Sequence, residues 1–325
     1  MQGKNSVVIV GAGIQGLAVA LLLSETAQVG AIKIYSMEPV RHTTSAVAGG
    51  LIEPGFLPEY DDRIGQWFAA SRLRLGAMLA DPAWYIRRAP VRVLWRQDKD
   101  APGWAGLVDD FLSGPASRPP YVQAWSYTTE VVETPRHLQE LVRRVTARGV
   151  QIVDRQVHAL GELGAEADIV INCAGVGARH LGDVGVTPAR GQVVIVERSA
   201  QIPDQVIMDA EQFTYVIPRI TDVVVGGTYE LDDWGRDLRP AVADQIMQRA
   251  TVLLPQLAGV RVLDHRVGLR PVRQPAPRLE VELAASGTLL GHCYGAGGAG
   301  ITLSYGMAAE LVKKLQRALH AQGRG

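Results

Sequence analysis

The sequence predicts an α/β fold: a Rossmann-like dinucleotide-binding domain carrying an inserted, β-rich (α+β) substrate domain. Three observations predict it. Gly11-Ala-Gly13-Ile-Gln-Gly16 stands between a strand-like apolar run and a helix-like one. A strand-rich block over 192–267 separates pieces that alternate strand and helix. A second glycine cluster, Gly295 to Gly300, leads into an amphipathic segment that closes the chain.

The opening reads as βαβ: a strand at 6–10, the glycine turn, a helix over 17–24 and a second strand at 31–35. Ile64, Trp67, Phe68, Leu73 and Leu75 recur at roughly helical spacing and predict a helix over 61–79, ahead of a strand at 91–95. Gly, Pro and Asp crowd 98–120, which reads as loop. Thr134 before Pro135 reads as an N-cap with proline in the first turn; Leu138, Leu141, Val142 and Val145 give the buried face, and Gly149 ends the helix. Strands are expected at 150–153, 168–172, 192–197, 214–217, 223–227, 261–267 and 288–292, with helices over 241–254 and 301–318. The dinucleotide-binding domain is therefore expected in three pieces (1–55, 134–188 and 286–325), and the substrate domain in two (56–133 and 189–285).

Composition narrows the partners. Lys plus Arg and Asp plus Glu are 33 each, so the formal charge is zero, and no basic stripe interleaved with aromatics marks a nucleic-acid groove. The apolar run 17–23 is too short to span a bilayer and follows a glycine motif rather than a charged leader, so neither membrane nor export is expected. Cys173 and Cys293 are the only cysteines and lie inside strand-like runs, which suits a reduced, cytoplasmic setting. The seven histidines lack metal-ligand spacing, and no metal is expected.

The first fingerprint carries the nucleotide chemistry. Gly11 and Gly13 allow the tight turn and close backbone approach to a pyrophosphate, Gly16 allows close helix packing, and the helix N-terminus offers unpaired N–H groups to the phosphates. The ribose-binding acid expected after the second strand is not cleanly placed: Glu38 comes a position late, and reads equally as ribose ligand and as loop carboxylate. The fingerprint alone leaves FAD and NAD open.

Three stretches together resemble the D-amino-acid oxidase family of flavoproteins: Thr43-Thr44-Ser45-Ala-Val-Ala-Gly49-Gly50-Leu51; Gly268-Leu-Arg270-Pro-Val-Arg273 leading to Pro277-Arg278-Leu-Glu280; and His292-Cys-Tyr294-Gly-Ala-Gly297-Gly298-Ala-Gly300-Ile301-Thr302. Ile171-Asn-Cys173-Ala174-Gly175 and Tyr215-Val-Ile-Pro218 extend the likeness along the chain. The resemblance implies a Rossmann-like FAD-binding domain, with FAD contacts at Gly11, Gly13, Ile14, Gln15, Gly16 and Glu38; at Thr43, Thr44, Ser45, Gly49, Gly50 and Leu51; at Val157, Cys173, Ala174 and Gly175; and at Gly297, Gly300, Ile301 and Thr302.

It also implies the chemistry. Arg278 is expected to hold a substrate carboxylate by two parallel charge-assisted hydrogen bonds, Tyr215 to touch the same carboxylate, and the Gly298 carbonyl to orient the substrate amine. Thr302, opening the last helix, would lie near the flavin pyrimidine edge, where the helix dipole favours the reduced flavin's negative charge. A hydride then passes from the α-carbon of a D-amino acid to flavin N5, with molecular oxygen taking the electrons as hydrogen peroxide and the imine hydrolysing to keto acid and ammonia. Only one such fingerprint precedes a helix, which favours electrons entering from the substrate over a second, nicotinamide site. The partners implied are a small amino-acid substrate and oxygen, and a homodimer is left open.

Two positions depart from the family pattern. Glu53 stands where vertebrate members carry glutamine, and Glu211 about where they place a second tyrosine. Two carboxylates near one pocket would favour basic or large polar D-amino acids. Alternatives remain: a related oxidase or dehydrogenase acting on glycine, N-methyl or D-aspartate-type substrates, an NAD-linked dehydrogenase, and a non-catalytic FAD-binding protein.

Overall fold

The computed structural model describes residues 5–53, 55 and 62–323. The strands are β1 (Asn5–Val10), β2 (Val29–Ser36), β3 (Ile86–Trp95), β4 (Asp109–Pro115), β5 (Gln123–Val132), β6 (Gln151–Asp154), β7 (Ile169–Asn172), β8 (Val186–Glu197), β9 (Val206–Asp209), β10 (Thr214–Pro218), β11 (Asp222–Gly226), β12 (Glu230–Leu231), β13 (Val262–Arg273), β14 (Arg278–Leu283) and β15 (Leu289–Tyr294). The helices are α1 (Ile14–Ser24), α2 (Thr44–Val47), α3 (Asp62–Met78), α4 (Thr134–Ala147), α5 (Pro240–Leu253) and α6 (Gly300–Ala321). None of the described helices is long and apolar enough to cross a membrane.

Two sheets divide the strands. The first runs β14-β15-β7-β1-β2-β6, parallel from β15 to β6, with β14 antiparallel at its edge. Its central strands β1 and β7 are almost wholly buried, as a parallel sheet covered on both faces requires. Helix α1 is apolar nearly all round and lies against α4 and α6. On α6, Gly306 lets α3 approach: a Cβ there would stand 2.0 Å from the Trp67 carbonyl oxygen.

The second sheet runs β12-β8-β11-β10-β9-β3-β5-β4, with β13 pairing along β8. It is antiparallel apart from the β3–β9 pair. One continuous apolar core, from Val7 and Ile171 to Val193 and Tyr215, joins the two sheets.

Four expectations need correction. The 98–120 stretch is not all loop, because β4 forms there and pairs with β5 across a register shift; such an irregular edge strand leaves little periodicity to read. Thr134 does not cap α4: it lies inside the helix, Glu133 takes the cap position without a side-chain bond, and the Thr134 hydroxyl donates instead to the Ala48 carbonyl at 2.8 Å. The boundary at 285/286 falls in the turn of the β14–β15 hairpin, so the parallel sheet draws its edge strand from the segment assigned to the other unit. Helix α3, assigned to 56–133, packs on α6 of the nucleotide side. The 55/56 boundary and residue 61, the expected start of α3, lie outside the described residues.

Candidate active site

A cavity of about 330 Å³ runs between the sheets, within the range of small-molecule sites. The β1–α1 turn forms one end. Gly11 has φ +106°, and a Cβ on it would stand 2.4 Å from the Cys173 carbonyl oxygen. At Gly16 a Cβ would stand 1.9 Å from the Gly11 carbonyl oxygen, so Gly16 serves helix packing and does not line the cavity. Helix α1 starts from Gly13 with no side-chain cap of its own; the Ser45 hydroxyl accepts from the Ile14 N–H at 3.0 Å. Backbone N–H groups at a helix start, with glycine permitting contact, make an anion cradle that fits a pyrophosphate.

The remaining walls come from the other motifs. Thr43, Thr44, Ser45, Gly49, Gly50 and Leu51 line the cavity, and Gly50 (φ +84°) admits the Val132 carbonyl at a place a Cβ would fill. Thr44 is tied to β13: its hydroxyl donates to the Leu269 carbonyl at 3.1 Å. Val157, Cys173, Ala174 and Gly175 form another side, and Gly297, Gly298, Gly300, Ile301 and Thr302 stand at the start of α6. The Thr302 hydroxyl bonds both the Glu53 carbonyl and the Glu53 N–H at 3.1 Å, pinning the Leu51 segment to α6. Gln15 links the two glycine loops, donating to the Gly300 carbonyl at 3.2 Å. Glu38 also lines the cavity, ion-paired with Arg236 at 3.2 Å.

At the far end the arginine facing the cavity is Arg270 on β13, not Arg278. Its guanidinium donates to the Thr228 carbonyl at 3.0 Å and lies 5.7 Å from the Phe213 ring centroid and 5.4 Å from that of Tyr229. Gly191 makes the room, since a Cβ there would stand 2.1 Å from the guanidinium. Tyr215 on β10 is buried beside it. Burial pushes the Tyr215 hydroxyl above its ordinary pKa, while the Arg270 charge and hydrogen bond pull it down. Gly226 and Gly227 make room for Tyr215: a Cβ on the first would stand 2.0 Å from its ring, and one on the second 2.6 Å from its hydroxyl oxygen.

Arg278 is corrected on these grounds. It opens β14, opposite Tyr294 in register, and does not line the cavity. It donates to Glu280 and, at 3.2 Å, to the Tyr294 hydroxyl, which donates to Asp183 at 2.8 Å. Glu280, Glu282 and His292 converge there with ligand atoms within 4.8 Å, but Arg278 already pairs with the two carboxylates. Arg270 was within reach of sequence reasoning, in the same Gly-Leu-Arg-Pro motif. The missing signal was where β13 leaves one sheet for the other.

Neither Glu53 nor Glu211 lines the cavity. Glu211 faces Arg96 at 3.6 Å. Glu53 is buried and accepts from the Tyr127 hydroxyl at 2.7 Å; burial pushes its carboxyl above the ordinary range, against the pull of that bond. The basis for a cationic substrate preference is therefore removed.

A family model described as FAD dependent oxidoreductase matches residues 6–314. The chain is 37% identical over 310 residues to a D-amino-acid oxidase from Rubrobacter xylanophilus, covering 93% of each chain. It is 33% identical to a human D-aspartate oxidase, covering 97% of this chain and 96% of that one. Among solved structures, the glycine oxidase from Geobacillus kaustophilus superposes with a TM-score of 0.81 at 16% identity, over 97% of this chain and 95% of that one, a likeness of fold.

Proposed function

Because the chain belongs to the FAD-dependent oxidoreductase family of the D-amino-acid oxidase type, we propose that it oxidises a D-amino acid to the imine, with oxygen as electron acceptor. The observation that carries this is the placement of Arg270 and Tyr215 in the cavity that begins at the dinucleotide fingerprint. A guanidinium fork beside a tyrosine hydroxyl suits a carboxylate, and fixes its orientation as well as binding it.

In this reading Arg270 and Tyr215 grip the α-carboxylate, and the carbonyl of Gly298, which lines the cavity, accepts from the substrate amine. The α-carbon is thereby held over the flavin seat formed by the Gly49–Leu51 turn and the start of α6. FAD, when bound, supplies the two-electron acceptor that takes the α-hydrogen as hydride and passes its electrons to oxygen as hydrogen peroxide. The imine is released to water and hydrolyses to keto acid and ammonia. No side-chain base is required, because the amine reacts as the neutral form. A cytoplasmic location is part of the same proposal.

The test is peroxide release by the FAD-loaded protein over both enantiomers of the common amino acids, with glycine and sarcosine. Turnover confined to D-enantiomers is expected. Turnover of L-enantiomers or sarcosine in preference would refute it.

A further inference from the structure

Phe213 has a left-handed backbone, φ +48°, which bulky side chains rarely adopt. Its neighbours hold it there. The Phe213 carbonyl accepts from the Gly227 N–H at 3.0 Å, and the Gly227 carbonyl accepts from Arg249 at 3.0 Å. One residue earlier, the Gln212 N–H donates to Asp209 at 3.1 Å. A conformation fixed from both sides aims the ring into the cavity, edge-on to Tyr215 with centroids 5.8 Å apart and beside the Arg270 guanidinium. Strain maintained in this way at a cavity wall is a mark of a functional position.

The lining residues next to Tyr215 are apolar: Phe213, Met208 opposite it in register on β9, and Ile217 two residues on along β10, so with the α-carboxylate on Arg270 and Tyr215 these are the walls left for the substrate side chain. The other lining arginines are engaged elsewhere, Arg155 with Glu166 and Arg236 with Glu38. Among the described residues at this end, Arg270 is the lining cation, and the α-carboxylate takes it. A second carboxylate would be buried without a partner, which is strongly unfavourable.

We propose that Phe213 is the specificity-determining wall of the substrate side-chain pocket, selecting an apolar side chain over an acidic one; the inference rests on the amino-acid reading above.

The test compares wild type with Phe213→Ala and with Phe213→Asn, whose asparagine suits a left-handed backbone and guards against a folding failure. In wild type, kcat/KM for D-leucine should exceed that for D-aspartate by at least about 100-fold. In both variants the ratio of kcat/KM for D-leucine to that for D-alanine should fall at least about tenfold. A wild-type preference for D-aspartate, or an unchanged leucine-to-alanine ratio in both variants, overturns the inference. A second measurement separates this from the reading beneath it: titrating the flavin absorbance with 4-methylpentanoate and acetate, which need no turnover. Should the wild type oxidise no D-amino acid, the amino-acid reading fails, yet the titration still decides Phe213. A roughly tenfold loss of the preference for 4-methylpentanoate in the variants supports the wall, and an unchanged preference overturns it.

Discussion

Replacing Arg270 by alanine should remove most turnover while the same change at Arg278 should not, and the contrast tests the site at its centre. Arg270 is half-buried, anchored by the Thr228 carbonyl and flanked by Phe213 and Tyr229, so little of the fork is free to rearrange. Truncating one partner of a buried, hydrogen-bonded charge pair costs about 2–5 kcal/mol, equivalent to a roughly 30-fold to 5,000-fold loss in kcat/KM. Arg270→Lys keeps the charge but loses the planar fork, and should fall between wild type and alanine. Arg278→Ala breaks contacts with Glu280 and the Tyr294 hydroxyl outside the cavity, and should change kcat/KM by no more than about threefold, the scale of a partly exposed ion pair. The assay is peroxide-coupled turnover of the best D-amino acid, with benzoate affinity from the flavin absorbance as a second measure. Loss of benzoate binding in the Arg278 variant with retention in the Arg270 variant would refute the assignment.

Other outcomes follow from the same geometry. Gly226→Ala places a Cβ 2.0 Å from the Tyr215 ring and should raise KM for the amino acid with FAD content preserved, read by kinetics and absorbance. Gly16→Ala drives a Cβ into the Gly11 carbonyl oxygen, and a thermal scan should show a lower Tm together with loss of bound FAD. Glu53 has its pKa raised by burial, so the native state holds its proton longer than the unfolded chain, and stability falls as pH rises above 4.5. Glu53→Gln should therefore raise Tm near neutrality, with the gain vanishing below pH 4.5. His137 is buried between the Trp84 carbonyl and the Tyr305 hydroxyl, and burial lowers its pKa from 6.5 to about 4. Its proton goes to the unfolded state first, so about 3 kcal/mol is lost as pH falls through that window, and denaturant midpoints of His137→Gln should lack that slope.

Much of the nucleotide half was legible because its signals are local. Strand β1, the glycine turn and α1 follow each other without interruption, and Gly11 is needed where φ is +106°. The helices α3, α4, α5 and α6 were legible in the sequence, α3 and α4 from the spacing of their apolar residues. The substrate sheet was less so. Strand β4 is short-ranged and irregular, and β14 is polar at alternate positions because it is an edge. Thr134 looked like a cap because its residue type fits one, yet the Ala48 carbonyl offered its hydroxyl a buried partner. Glu53 and Glu211 were misplaced for a similar reason: a carboxylate in the sequence does not say which way its side chain turns. Met208 and Ile217 look like any apolar strand residues, and nothing in the sequence marks the turn residue Phe213 as lining a cavity.

The exchange of Arg278 for Arg270 shows what a motif leaves undetermined. Both arginines belong to one run from Gly268 to Glu280, and either could grip a carboxylate by chemistry alone. What separates them is the point at which the chain changes sheets. Up to Arg273 the strand pairs with β8, and Val272 bridges to Ala296; from Arg278 the chain pairs with β15. Arg270, before that crossing, faces the cavity between the sheets, where Gly191 on the paired strand has no side chain to fill the space. Arg278 comes after the crossing, opposite Tyr294, and is consumed by the charges of its own hairpin. The glycine at 191 is thus as necessary to the proposed carboxylate grip as the arginine, and Gly191→Ala should mimic loss of Arg270 in benzoate affinity while leaving the guanidinium in the protein.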